Sequence, residues 1–227
     1  MVIMIDISTS TKYDATVRLT RQKEAALLLL DSLNYWSFFN VGLYTDDASF
    51  FAGTTKMLRA SSSNKDSAIA YINALSLDHS AYVSLETTLK STLNMIEASE
   101  SDGTSTYCHS LVIFLATDHN DISSAYNVPD VIDAYSSEGS LVIMSFIFNF
   151  QSYLVDPLYE EMSCRTDGFQ HIITSSSYDD SVPVVVEQYS AFLAATLEND
   201  NVRFSEIYQD IQGVGELTTG TIIYNID

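Results

Sequence analysis

The sequence predicts an α/β fold: a doubly wound, mostly parallel central sheet flanked by helices, with a C-terminal β-hairpin that enters a second domain. Two observations carry this expectation. Continuous apolar runs at 2–5 and 111–116, and a run at 141–148 broken only by Ser145, read as strands buried on both faces. Between them lie stretches with apolar residues at helical spacing, so strands and helices alternate. A third observation bounds the pattern. It closes near Glu198, and the stretch beyond, with Gly213-Val214-Gly215 between two strand-like runs, carries no helix.

In chain order, the first strand ends in Asp6 and is followed by Ile7-Ser8-Thr9-Ser10. Asp14 is placed to cap a helix reaching about Leu33, with Ala26, Leu27, Leu30 and Leu33 on one face. Residues 37–45 read as a second strand, Asp46-Asp47 as a turn and 48–52 as a short edge strand. Ser61-Ser62-Ser63-Asn64 reads as a loop ending in a helix cap, and Ile69, Ile72 and Leu75 mark the helix after it. Leu85, Leu89, Leu93 and Ile96 mark the next. A polar loop at 100–106 leads into the strand that ends in Asp118. A short helix follows at 127–136 with Pro129 in its first turn. Then come a strand at 141–148, a helix from Asp156-Pro157 to Gly168, a strand at 169–174 and a helix at 183–197, with Val186, Tyr189, Leu193 and Leu197 on one face. The domains expected are 1–198 and an incomplete one at 202–227.

Composition narrows the function classes. With 46% apolar residues, the 227-residue chain can bury a sizeable core. Its 30 acids against 10 bases give a net charge of -20, which argues against nucleic acid as a partner, because phosphate binding needs a basic face. Cations and basic protein surfaces suit it better. No run of 18 apolar residues is present, so no membrane span is expected in this segment. Two cysteines, Cys108 and Cys164, both fall at the amino-terminal edge of the expected sheet, where a disulfide between them is one of several outcomes.

The chemistry-bearing residues lie at the carboxyl ends of two strands, where open α/β sheets bind ligands. Asp6, Ser8 and Ser10 offer one carboxylate and two hydroxyls, a hard-oxygen set that suits Mg2+, Mn2+ or Ca2+ rather than Zn2+. Asp118 ends the second of these strands. The plainer reading is a buried strand running into a Ser/Thr turn.

Asp-x-Ser-x-Ser after the first strand with Thr-Asp after a later one resembles the von Willebrand factor type A (VWA) domain, a Rossmann-like fold. The resemblance implies a metal-ion-dependent adhesion site formed by Asp6, Ser8, Ser10 and Asp118, a bound divalent cation, and a protein partner gripped through an acidic side chain. Two departures stand out. The family's glycines are replaced by Thr9 and His119, and its threonine ligand falls on Val83, which has no oxygen to offer. Ser84 or Ser80 is left as a substitute ligand, and binding is expected to be weak.

The segment 158–169, with Cys164 and Gly168-Phe169, resembles the VWA domain of voltage-gated calcium channel α2δ subunits. Phe204 to Asp210, with Gly215 and Gly220-Thr221, resembles the start of the Cache domain that follows it. That resemblance implies an extracellular or cell-surface binding module of an α2δ-like auxiliary subunit, with a channel subunit among its partners, as part of a longer chain. The alternative is a structural component of a large extracellular or ciliary assembly with a vestigial site. An enzyme is not expected. Asp6-x-Ser8 resembles the Asp-x-Asp of haloacid-dehalogenase-like phosphatases, but Ser8 stands where their general acid would be. No nucleophile elbow or Walker loop is present either.

Overall fold

The computed structural model describes residues 1–8, 15–44, 48–51, 56–78, 84–104, 110–117, 127–136, 141–149, 157–174 and 181–198, together with four short strands between 202 and 222. The chain divides into two compact units, Met1–Val182 and Pro183–Asp227. The division falls near the start of the last helix, whereas the sequence pattern changes after that helix, near 198–202.

The first unit is built on five parallel strands: β1 (Val2–Asp6), β2 (Phe38–Tyr44), β5 (Ser110–Thr117), β6 (Leu141–Asn149) and β7 (Phe169–Thr174). The order runs β2-β1-β5-β6-β7. Two short strands, β3 (Ser49–Phe50) and β4 (Leu58–Arg59), pair antiparallel with the two ends of β2. The sequence expectation of a doubly wound, mostly parallel sheet holds, and β4, two residues long, is an addition that no periodicity signals.

Burial explains the strand composition. All five residues of β1 are buried, because helices cover both faces of the sheet. On one face Val2, Met4, Val112, Phe114 and Ile143 join a core with Leu85, Leu89, Leu93 and Ile96 of α3 (Leu85–Ser101), Ile132 of α4 (Val128–Ser136) and Met162 of α5 (Pro157–Arg165). Tyr44 and Tyr159 share a hydrogen bond within it. The alternate residues Ile3, Ile5, Ile113 and Leu115, also fully buried, point to the opposite face. Helix α1 (Ala15–Ser32) packs there against β1 and β5.

Three local findings refine the sequence reading. The buried stripe of α1 is Arg18, Leu19, Gln22, Ala25, Ala26, Leu29 and Leu30, while Leu27 is only half-buried. The Ser61 to Asn64 stretch is not a loop: Ser61 is the cap, accepting from the Asn64 amide, and α2 starts at Ser62 (Ser62–Ala74). Helices α1 and α2 also close each other's ends, since Lys65 donates to the Asp31 and Leu33 carbonyls and Lys23 to those of Asn73 and Leu75. Finally, α5 ends at Arg165, and the left-handed residue of its stop is Asp167 (φ 53°), not Gly168. Gly168 is required for a different reason: a side chain there would collide with the Ile143 backbone of β6.

In the second unit, α6 (Ser181–Glu198) buries Val185 and Tyr189. The strands beyond it form two antiparallel ladders nested in sequence. β8 (Val202–Phe204) pairs with β11 (Gly220–Ile222), and β9 (Tyr208–Gln209) pairs with β10 (Glu216–Leu217). Three residues separate β8 from β9 and two separate β10 from β11, so the registers of the two ladders differ by one residue.

Candidate metal site

The strand order decides where chemistry can occur. From β1 the chain crosses to β2 on one side and later to β5 on the other, so β1 and β5 flank a topological switch point, and its crevice opens at their carboxyl ends. Asp6 is the last residue of β1 and Thr117 the last of β5.

Asp6 is 2% exposed, and both carboxylate oxygens are held. The Ser8 amide donates to Oδ1 at 2.8 Å, closing a tight turn, and the Thr117 hydroxyl donates to Oδ2 at 2.6 Å. Burial pushes the Asp6 carboxyl above its ordinary range. The hydrogen bonds from Thr117 and Ser8 and the positive charge of Arg18 pull the other way. The net result is an under-solvated acid at a ligand-binding edge.

Ser8 is itself buried, and its backbone is paired with the loop that precedes α3. The Asp78 amide donates to the Ile7 carbonyl at 2.8 Å, and Ser8 and Asp78 form a parallel bridge. That loop leads to Ser84, the expected substitute ligand. Ser84 caps α3, accepting from the Thr87 amide at 3.4 Å and donating to the Thr87 hydroxyl at 2.8 Å. Its hydroxyl thus takes part in the helix start.

Of the sequence-derived ligands, Asp6 and Ser8 lie side by side at the end of β1, joined by the Ser8 amide hydrogen bond. Ser10 and Asp118 lie outside the described residues, as do Ser80, Val83, His119 and Cys108. Cys164, near the end of α5, carries an exposed free thiol. Among the described residues no group of three or more His, Cys, Asp or Glu side chains gathers to hold an ion. The donors that are described, a desolvated carboxylate with neighbouring hydroxyls, nevertheless match the hard-oxygen chemistry of Mg2+, Mn2+ or Ca2+.

Sequence reasoning missed three participants. Thr117 was visible only as the residue before Asp118. Asp78 gave no signal. Arg18 did give one: it falls on the apolar stripe of α1, where a charge has no business unless something answers it.

Solved structures decide what this architecture is. The von Willebrand factor type A protein from Catenulispora acidiphila matches with a TM-score of 0.63 at 19% identity, covering 81% of this chain and 41% of that one. The chain has the VWA fold. Proximal thread matrix protein 1 from the mussel byssus matches at 0.61 and 15% identity, over 83% of this chain and 47% of that one. The manganese-loaded TRAP protein of Plasmodium vivax matches at 0.53 and 13% identity, over 97% of this chain and 74% of that one. The chain spans less than half the length of the first two. At these identities the likeness carries the VWA fold alone. No protein-family model and no curated protein matches the sequence.

Proposed function

We propose that this VWA domain is a non-enzymatic protein-binding module that holds a divalent cation on Asp6, Ser8, Ser10 and Asp118 and uses it to grip an acidic side chain of a protein partner. The observation that carries the reading is Asp6: a buried carboxylate at the switch point, fixed by Ser8 and Thr117 in the strand context where a VWA fold places its site. The manganese in the TRAP neighbour lends support to cation chemistry on this fold. On the resemblance in 158–169 and 204–221, the module belongs to an extracellular, α2δ-like auxiliary subunit of a calcium channel, with the second unit opening a Cache domain. No helix among the described residues is long and apolar enough to cross a membrane.

A second reading is favoured by one specific likeness, that to a byssal thread matrix protein. In it the domain is a structural part of an extracellular assembly and its site is vestigial. Calorimetry separates the two. A functional site binds Mg2+, Mn2+ or Ca2+ with a dissociation constant of about 10⁻⁴ to 10⁻³ M, the range of weak extracellular sites. Asp6→Ala abolishes that binding. Silence of the unaltered protein at several times that concentration rejects the adhesive module and leaves the structural one.

A further inference from the structure

The turn between α1 and β2 holds two aromatic side chains in solvent. The Ser37 amide donates to the Asn34 carbonyl at 3.0 Å, closing a turn with Tyr35 and Trp36 at its two central positions. The Asn34 side-chain oxygen accepts from the Trp36 amide at 2.9 Å and from the Ser37 hydroxyl at 3.2 Å. The Ala60 amide, just past β4, donates to the Ser37 carbonyl at 2.9 Å and ties the turn down. Central turn positions usually carry Gly, Pro, Asn, Asp or Ser. Here Trp36 is 71% and Tyr35 56% exposed, the two most exposed large apolar side chains among the described residues. Their rings stand edge to face with centres 5.5 Å apart. The Arg59 guanidinium of β4 lies over both, 5.2 Å from the Tyr35 ring centre and 5.7 Å from that of Trp36, and 5.1 Å from that of Phe38.

The charge pattern shows what this face lacks. Arg21, Lys56, Lys90 and Arg165 each pair with a carboxylate, and Lys23 and Lys65 donate to carbonyls at helix ends. Arg59 meets three rings, and among the described residues no carboxylate pairs with it, in a chain of 30 acids and 10 bases. Rings answer a cation's charge but leave its five N–H donors unused. Trp, Tyr and Arg are also the side chains that carry most binding energy at protein interfaces, and a fixed turn lowers the ordering cost of docking. We propose that Tyr35, Trp36 and Arg59 form a second interaction surface, which receives an Asp- or Glu-bearing segment of a partner protein. The carboxylate meets the guanidinium, and an apolar neighbour in the segment packs on the rings. β2 runs seven residues from Phe38 beside this face to Tyr44, the register partner of Asp6, so the face lies about 20 Å from the candidate metal site, at the opposite edge of the sheet. The surface stands apart from the metal reading, and a partner seated on it leaves that edge open.

The test selects from a phage-displayed library of short random peptides, in chelator so that no metal takes part. Peptides retained by the unaltered chain should be rich in Asp or Glu beside an apolar residue. Their affinity should fall about tenfold or more in Arg59→Gln and in Trp36→Ala. Leu28→Ala, an exposed apolar change on α1, should leave it unchanged. Arg59→Lys keeps the charge but not the planar fork, and should recover only part of the loss. Trp36 is the sole tryptophan of the chain, so its fluorescence reads the face directly. A selected peptide should shift that emission to the blue, and the same peptide with Asn or Gln in place of its acids should not. Retention of no peptide, selection without enrichment in acids, or undiminished binding by Arg59→Gln and Trp36→Ala overturns the proposal. Retention of heparin but not of acidic peptides overturns it too, in favour of a surface for sulfated sugars. If Arg59→Gln does not fold, Trp36→Ala and the emission shift decide between these outcomes.

Discussion

Asn40 and Asp6 lie on neighbouring strands of one sheet, both buried, and their surroundings differ in kind. Around Asn40 the chain answers its own polar groups. The Asn40 amide donates to the Lys56 carbonyl at 2.9 Å and to the Met95 sulfur at 3.1 Å, and its oxygen accepts from the Val41 amide at 2.8 Å. Nearby, Ser99 accepts from the Met57 amide at 2.8 Å and donates to the Met95 carbonyl at 2.9 Å. The result pins the 56–57 segment across β2 and α3 with no net charge. Asp6 is a buried carboxylate held by Ser8 and Thr117, and on α1, the helix packed against its strand, both ends of the buried Gln22 amide meet no hydrogen-bond partner. A polar cluster that serves only the fold is closed by the fold. A buried charge at the carboxyl end of a strand costs stability that a purely structural cluster would not lose, which is why the metal proposal centres on Asp6.

That contrast can be broken by substitution. The largest effect belongs to the closed cluster: Asn40→Ala strands the Lys56 carbonyl and Val41 amide and should cost about 3 kcal/mol in urea unfolding. A loss under about 1 kcal/mol would mean that Asn40 holds nothing together. Next, Thr117→Val keeps shape but removes a donor from Asp6, and should destabilise the chelated protein by about 2 kcal/mol. An unchanged midpoint would show that Thr117 does not hold the carboxylate. Third, Gln22→Met replaces an unsatisfied buried amide with an apolar chain of similar length and should stabilise by about 1 kcal/mol. Destabilisation instead would reveal a partner for Gln22 and weaken the contrast.

The smallest effect lies away from both clusters. Burial holds the His171 imidazole below its ordinary range. The unfolded chain therefore takes up that proton first as pH falls, so the stability tied to neutral His171 is complete above about pH 6.5 and declines below it. His171→Gln should flatten the unfolding midpoint measured across that acidic range. An identical pH profile would show that other groups set it.

Much of the fold was legible because burial writes itself locally. A strand covered on both faces must be apolar almost throughout, which is why 2–5, 111–116 and 141–148 stood out. The α3 leucines repeat with the helical turn for the same reason. Where no local rule operates, the reading faltered. The pairing of β4 with β2 is two residues long, the start of α2 hid among serines that serve equally as loop or cap, and Asp167 took the left-handed turn expected of glycine. The site was half legible. Asp6 and Ser8 announced themselves as an acid and a hydroxyl after a buried strand, whereas Thr117 looked like any strand terminus.

By itself, then, the sequence determined the alternation of buried strands with amphipathic helices, the acidic surface and the candidate oxygen ligands, since each follows from a residue and its near neighbours. Only the tertiary structure decided that β5 lies beside β1, bringing a hydroxyl to a carboxylate 111 residues away, and that the Arg18 guanidinium of α1 is buried. Those facts depend on strand order and helix docking, which are set by the sum of packing across the whole core and leave no mark at any single position.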